Sequence, residues 1–303
     1  MTFISVNGSI ILIAGGYDEF NNLASVEVIS DDARNNIQLP DLPETITWSN
    51  PMINHNGVIL LCGGENNGQT CLKMEENGWN HHSNLKQKRS GASVVATNTA
   101  TFIFGGFDSK DTYEYLEQGS SSNWQEGKAT IPGYGFRRGC AIALSDEEVW
   151  LIGGLDTESR IMSFNTTSHM FKEEKIQLNE NRQNRFAHRC IRIPGTTKIM
   201  VSGGRDSSSS GLDSWEIIDF ESKSVKNTGK MNGKRSGHGI GILTLNGEDK
   251  IAIFGGRHET RRLDSVEVYD QKTQKWTKID IKLTQAKETF GFLTVTRDVV
   301  PGL

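Results

Sequence analysis

The chain has 303 residues, with 33 Lys and Arg against 37 Asp and Glu for a formal net charge of −4, and 35% hydrophobic residues. This balance argues against a general nucleic-acid binder, which carries a strongly basic face, and no apolar run approaches the roughly 18 residues of a membrane-spanning helix. Four cysteines (Cys62, Cys71, Cys140, Cys190), none in a C-x-x-C spacing, make neither a disulfide framework nor a zinc site, so a reducing, cytoplasmic setting is expected. Two triplets, Asn7-Gly8-Ser9 and Asn165-Thr166-Thr167, point weakly toward secretion instead.

The first apolar run, Ile10 to Ala14, lacks the basic lead of a signal peptide and ends in Gly15-Gly16. It reads as a strand, because the same tag returns five times. The later copies are Ile59 to Gly64, Phe102 to Gly106, Val149 to Gly154, Ile199 to Gly204 and Ile251 to Gly256, with first glycines 48, 42, 48, 50 and 52 residues apart. A period near 50 residues marks a propeller or solenoid, in which one small sheet per repeat cannot bury its faces alone.

Each tag is followed by two further β-rich runs. In the first unit Ser25 to Ile29 begins nine residues after the glycine pair; in the fifth, Ser214 to Asp219 occupies that place. The last unit is clearest, with Ser265 to Asp270, a turn, and then Lys275 to Ile279. Between units a fourth strand starts just after a basic residue: Arg89-Ser90-Gly91, Arg138-Gly139-Cys140, Arg185-Phe186-Ala187-His188 and Arg235-Ser236-Gly237-His238. Four short strands separated by turn residues make an antiparallel meander, and six such units make six blades. Glycine pairs at the end of strand b let neighbouring backbone come close.

These residues resemble kelch repeats over nearly the whole chain: the recurring Gly-Gly, an aromatic in strand c (Tyr269) and another in strand d (Trp276), with Phe164 and Phe171 at the same spacing in the fourth unit and Trp79 and Trp124 marking strand d in the second and third. The fold expected is an all-β, six-bladed kelch β-propeller with four antiparallel strands per blade. Its repeats run over 1–46, 47–88, 89–136, 137–184, 185–234 and 235–288, with 289–303 closing the ring. Two segments compete for the innermost strand of the first blade, Phe290 to Val295 and Phe3 to Gly8; the C-terminal one is favoured because it carries the full lead-in Lys287-Glu288-Thr289.

Little in the chain points to catalysis. There is no G-x-x-x-x-G-K-[ST] loop, no H-E-x-x-H and no G-x-S-x-G elbow. His81 and His82, being adjacent, would face opposite sides of a strand and are poorly placed to share a metal. His188 and His238 hold equivalent repeat positions, which favours a structural role. No metal and no cofactor are expected. Among enzymes on this architecture, the copper radical oxidases need a Tyr, Cys and His set that cannot be assembled here; a sugar mutarotase using the axial pocket stays open, as does an actin-binding role.

In an up-and-down blade, the b–c and d–a connections share one face. The d–a connections hold twelve basic residues against four acidic ones, while the b–c loops are mixed. The resemblance implies that arginines at the lip, matching Arg89, Arg138, Arg185 and Arg235, hold acidic peptide motifs by bidentate pairing, as in kelch substrate adaptors of ubiquitin ligases. Tyr134 and Phe136 would add apolar anchors. An Arg at such a place can equally hold neighbouring blades together. The expected function is therefore a non-catalytic protein-binding module, without nucleic acid or membrane; ligase adaptors usually carry BTB and BACK domains before the propeller, and a longer parent protein is one expectation.

Overall fold

The six apolar tags are each long enough for one short strand, and their alternating side chains need apolar cover on both faces. A computed structural model describes residues 8–31, 37–46, 51–65, 68–133, 135–155, 157, 159–178 and 185–303. It arranges them as six four-stranded antiparallel sheets, the blades of a propeller. Blade two runs Met52–His55, Val58–Cys62, Thr70–Glu75 and Gly78–Asn84 as strands a to d; blade three Ser93–Ala96, Ala100–Phe104, Tyr113–Glu117 and Gln125–Glu126; blade four Cys140–Ala143, Glu148–Ile152, Arg160–Asn165 and Phe171–Gln177. Blade five follows with Arg189–Arg192, Lys198–Ser202, Ser214–Asp219 and Ser224–Lys230, and blade six with Gly239–Leu245, Glu248–Phe254, Ser265–Asp270 and Lys275–Lys282.

Blade one draws on both ends of the chain. Its strand a is Gly291–Thr296, paired antiparallel along Ser9–Ala14, and Val26–Ile29 and Ile37–Leu39 complete the sheet. The alternative inner strand, Phe3 to Asn7, lies outside the described residues. Each strand a touches strand a of both neighbouring blades, so the inner circle is closed all round.

Blade-to-blade packing supplies the core. The apolar clusters fall between adjacent blades: Leu12 and Ile10 face Met52 and Leu61 of blade two, whereas Ile11 and Ile13, one residue out of phase, face Leu243 and Phe254 of blade six. The other four interfaces repeat this arrangement around Trp124, Phe164, Trp150 and Trp215. The outer aromatics of the repeat meet across strands c and d, Tyr269 opposite Trp276 and Phe164 opposite Phe171, and in blade two Met74 takes the strand c place opposite Trp79.

The glycine pair joins one blade to the next. The N–H of every second glycine donates to a carbonyl in the following lead-in, Gly64 to Arg89, Gly154 to Arg185, Gly204 to Arg235 and Gly256 to Lys287, at 2.8–3.0 Å. Gly204 sits at φ +100°, and a Cβ there would stand 2.7 Å from the Phe186 carbonyl oxygen and 2.9 Å from His188 Cβ. Gly204→Ala combines left-handed strain with a backbone clash and is expected to cost about 2–3 kcal/mol; an unchanged midpoint in urea would contradict this contact.

The cysteines correct the sequence reading. Cys62 and Cys71 face each other across strands b and c of blade two and are disulfide-bonded, and Cys140 and Cys190 join strands a of blades four and five. No cysteine is free. The expectation of a reducing compartment rested on unpaired thiols, and the pairing removes that ground, because disulfides persist mainly in oxidising settings. No helix among the described residues is long and apolar enough to cross a membrane.

Candidate functional site

The lead-in to strand a carries one recurring inward position: Ile46, Arg89, Phe136, Arg185, Arg235 and Lys287, each defined by the carbonyl that accepts from the preceding blade's glycine pair. Its side chain crosses to strand c of its own blade. Arg89 meets Glu114 at 3.0 Å, Arg185 meets Glu216 at 2.6 Å, Arg235 meets Glu267 at 2.7 Å, and Lys287 meets Glu27 at 2.9 Å. Both members of each pair are buried. The three guanidiniums also donate to the carbonyls of Gly105, Gly203 and Gly255 at 2.6–2.8 Å, so each arginine ties its backbone to one blade and its side chain to the next.

In the two blades without a cation the carboxylate is gone as well. Phe136 lies in one apolar cluster with Met162, and Ile46 in another with Leu72, at the strand positions the glutamates hold elsewhere. A lone buried charge is costly, so the slot is occupied either by a pair or by two apolar groups. This changes the reading of the lip. Arg89, Arg185 and Arg235 are fastened inside the ring and offer nothing to a partner, and Phe136, fully buried, is no surface anchor. Tyr134 lies outside the described residues.

Arg138 belongs to a different position, two residues further along, equivalent to Gly91, Ala187, Gly237 and Thr289. All five adopt a left-handed φ of 53–66°. Their backbones form a collar around the mouth: Arg138 N–H donates to Gly91, Ala187 to Arg138, Gly237 to Ala187 and Thr289 to Gly237, at 2.7–2.9 Å. From the collar, Arg138 reaches toward the rings of Phe107 and Phe186, with its guanidinium carbon 5.7 and 6.0 Å from their centres.

The mouth is completed by the residue that follows each glycine pair, in order Tyr17, Glu65, Phe107, Leu155, Arg205 and Arg257. A cavity of about 360 Å³ opens there, lined by Arg138, Arg205, Arg257 and Arg262 with Glu65, Glu288, Tyr17, Asn22 and Thr289. Arg262 bonds Glu288 at 2.9 Å and lies over the Tyr17 ring at 4.8 Å, while Arg257 stands 3.8 Å from the same carboxylate. Four arginines thus share two glutamates. The electrostatics record the crowding: burial and the Arg205 charge push Arg138 down to about 10, with Glu288 opposing, and burial and Arg257 lower Arg205. Both remain cationic at neutral pH, so an incoming anion relieves their mutual repulsion.

Beside this basin, Phe20 projects 80% exposed from the b–c loop of blade one. The loop is held by Asp18, which accepts the N–H groups of Phe20 and Asn21, both at 2.6 Å, and a side-chain bond from Gln285. Asp206 closes the matching turn in blade five by accepting from Ser208 and Ser210. Asp156, the blade-four counterpart, lies outside the described residues.

The axial cavity, about 220 Å³, is walled by strands a, and among its described lining residues the only charged side chain is Arg189, which rests over Phe292 at 5.4 Å; neither carboxylate nor imidazole faces it. Acid–base work on a sugar would need such groups. Among the described residues no cluster of three His, Cys, Asp or Glu could hold a metal.

His188 and His238 are buried in the lead-ins, bonded to the Ile152 carbonyl and to Ser202 Oγ. Burial, together with the charges of Arg185 and Arg189, pushes His188 down to about 3. The folded state therefore binds this proton more weakly than the unfolded chain, whose histidines titrate near 6.5. The contribution is complete above about pH 6.5 and is lost as pH falls toward 3. Between pH 7 and pH 5, His188 alone is expected to remove about 2 kcal/mol, and a His188→Gln variant should show a shallower acid slope in urea unfolding. Parallel slopes would contradict this.

Comparison with known proteins adds two matches. A family model described as Kelch motif matches residues 246–280, the last strands b to d. A kelch repeat-containing protein of Dictyostelium discoideum is 22% identical over 153 residues, covering 50% of this chain and 23% of that protein. The chain matches less than a quarter of that relative's length.

Proposed function

We propose that this chain, a kelch-repeat β-propeller, is a non-catalytic binding module that takes an acidic peptide segment of a protein partner at the mouth formed by Arg138, Arg205, Arg257 and Arg262. The observation that carries the reading is the basin itself: four guanidiniums around about 360 Å³ with two carboxylates between them, Arg138 on the hydrogen-bonded collar and Arg205 and Arg257 bridged through their backbones to the neighbouring lead-ins. Guanidiniums present forked donors that match carboxylates bidentately. Pre-organisation by the collar lowers the ordering cost on binding. Phe20, exposed and fixed by the Asp18 turn, supplies an apolar contact for a residue flanking the acidic stretch.

Delivery of such a partner to a ubiquitin ligase is the role to which this reading extends, by this chain alone or as one part of a longer one. Affinity purification from the native cells tests it, comparing the wild type with an Arg205→Gln/Arg257→Gln variant that melts normally. Partners held by the mouth should disappear from the variant and should share an acidic stretch. An unchanged partner list would place binding elsewhere.

A further inference from the structure

Beside the mouth lies a second cavity of about 220 Å³ that shares two of its arginines. Arg205, Lys234 and Arg257 line it together with the hydroxyl residues Ser209, Ser210 and Ser236, and Glu259 is the one carboxylate in the lining. Its walls are built. Arg205 pairs through its backbone with Phe186 and Gly211, and Arg257 with Ser236. Arg205 Nε donates to Ser236 Oγ at 3.2 Å. The Asp206 carboxylate accepts the Ser208 and Ser210 N–H groups at 2.9 and 3.0 Å and the Ser208 hydroxyl at 2.6 Å, and Ser210 Oγ lies 3.0 Å from Ser208 Oγ, so the turn that carries Ser209 and Ser210 into the lining is held in place.

Three cations and several hydroxyls around one small volume exceed what a carboxylate can use. A carboxylate presents two oxygens in a plane; a phosphate monoester presents three terminal oxygens in a tetrahedral arrangement and close to two negative charges at neutral pH. Guanidinium forks from Arg205 and Arg257, the Lys234 ammonium and the serine hydroxyls are brought to the lining by three separate segments of the chain, which suits the tetrahedral anion. We infer that this cavity takes the phosphate of a phosphoserine or phosphothreonine carried by the same acidic segment that enters the mouth. The inference rests on the peptide reading for its context, while the phosphate pocket has its own lysine.

The test uses a fluorescent hexaglutamate peptide, six derivatives with phosphoserine replacing one glutamate at each position, and free O-phospho-L-serine. At least one phosphopeptide should bind about ten-fold more tightly than hexaglutamate, and Lys234→Gln, checked for an unchanged melting temperature, should erase that gain while leaving hexaglutamate affinity in place. No gain at any position, or a gain that survives Lys234→Gln, overturns the inference. Free phosphoserine separates the two claims: if hexaglutamate fails to bind but phosphoserine binds and is lost in Lys234→Gln, the phosphate pocket stands and the acidic-mouth reading falls.

Discussion

Glu216→Ala is expected to destabilise the propeller by about 3–5 kcal/mol, because it leaves the Arg185 guanidinium buried without its carboxylate. The double variant Arg185→Phe/Glu216→Met is expected to recover most of that loss. It copies Phe136 and Met162, the apolar occupants of the same slot in blade four. Recovery should be incomplete, since the Gly203 and Ser214 carbonyls lose a donor. Urea unfolding of the three proteins decides the matter. A double variant as unstable as the single would mean that the pair does more than neutralise a buried charge.

A larger effect is expected from removing residues 288–303. The truncation deletes strand a of blade one, with its six-residue pairing to Ser9–Ala14, and removes Phe290 and Phe292 from the interface with blade six. At about 1.5–3 kcal/mol for each large apolar side chain, plus the unpaired ladder, the loss is about 10 kcal/mol. That is comparable to the whole stability of an ordinary domain. Lys287 and Glu27, the buried pair across the closure, stay in the chain but lose the strand that orders them. The truncated chain should show no cooperative thermal transition; a sharp transition near the wild-type temperature would show that the ring closes by other means.

The repeat was legible because its cause is local: a strand that must end where the next blade's backbone comes within contact distance needs glycine, and it needs it six times over. The mouth was harder to read. Arg89, Arg138, Arg185 and Arg235 look alike in the sequence, each a few residues before strand a, yet the hydrogen-bonded register puts Phe136 in the slot of the other three and shifts Arg138 by two residues, onto the collar. The signal that separates them lies in strand c, where Glu114, Glu216 and Glu267 accompany the buried arginines and Met162 accompanies Phe136. Arg205 and Arg257 follow two of the glycine pairs, in b–c loops whose mixed charges hide them in the sequence. Cys140 and Cys190 are 50 residues apart and meet only because adjacent blades place their inner strands side by side; no local spacing announces that pairing.

The central claim, that the arginine basin binds an acidic segment, is tested most directly by fluorescence anisotropy of a labelled hexaglutamate peptide against the wild type and the Arg205→Gln/Arg257→Gln variant, in 50 and 200 mM salt. The account predicts saturable binding by the wild type that weakens with salt, and a loss of at least about ten-fold in a variant with unchanged melting temperature. Absence of binding by the wild type, or equal affinity of the two proteins, would contradict it.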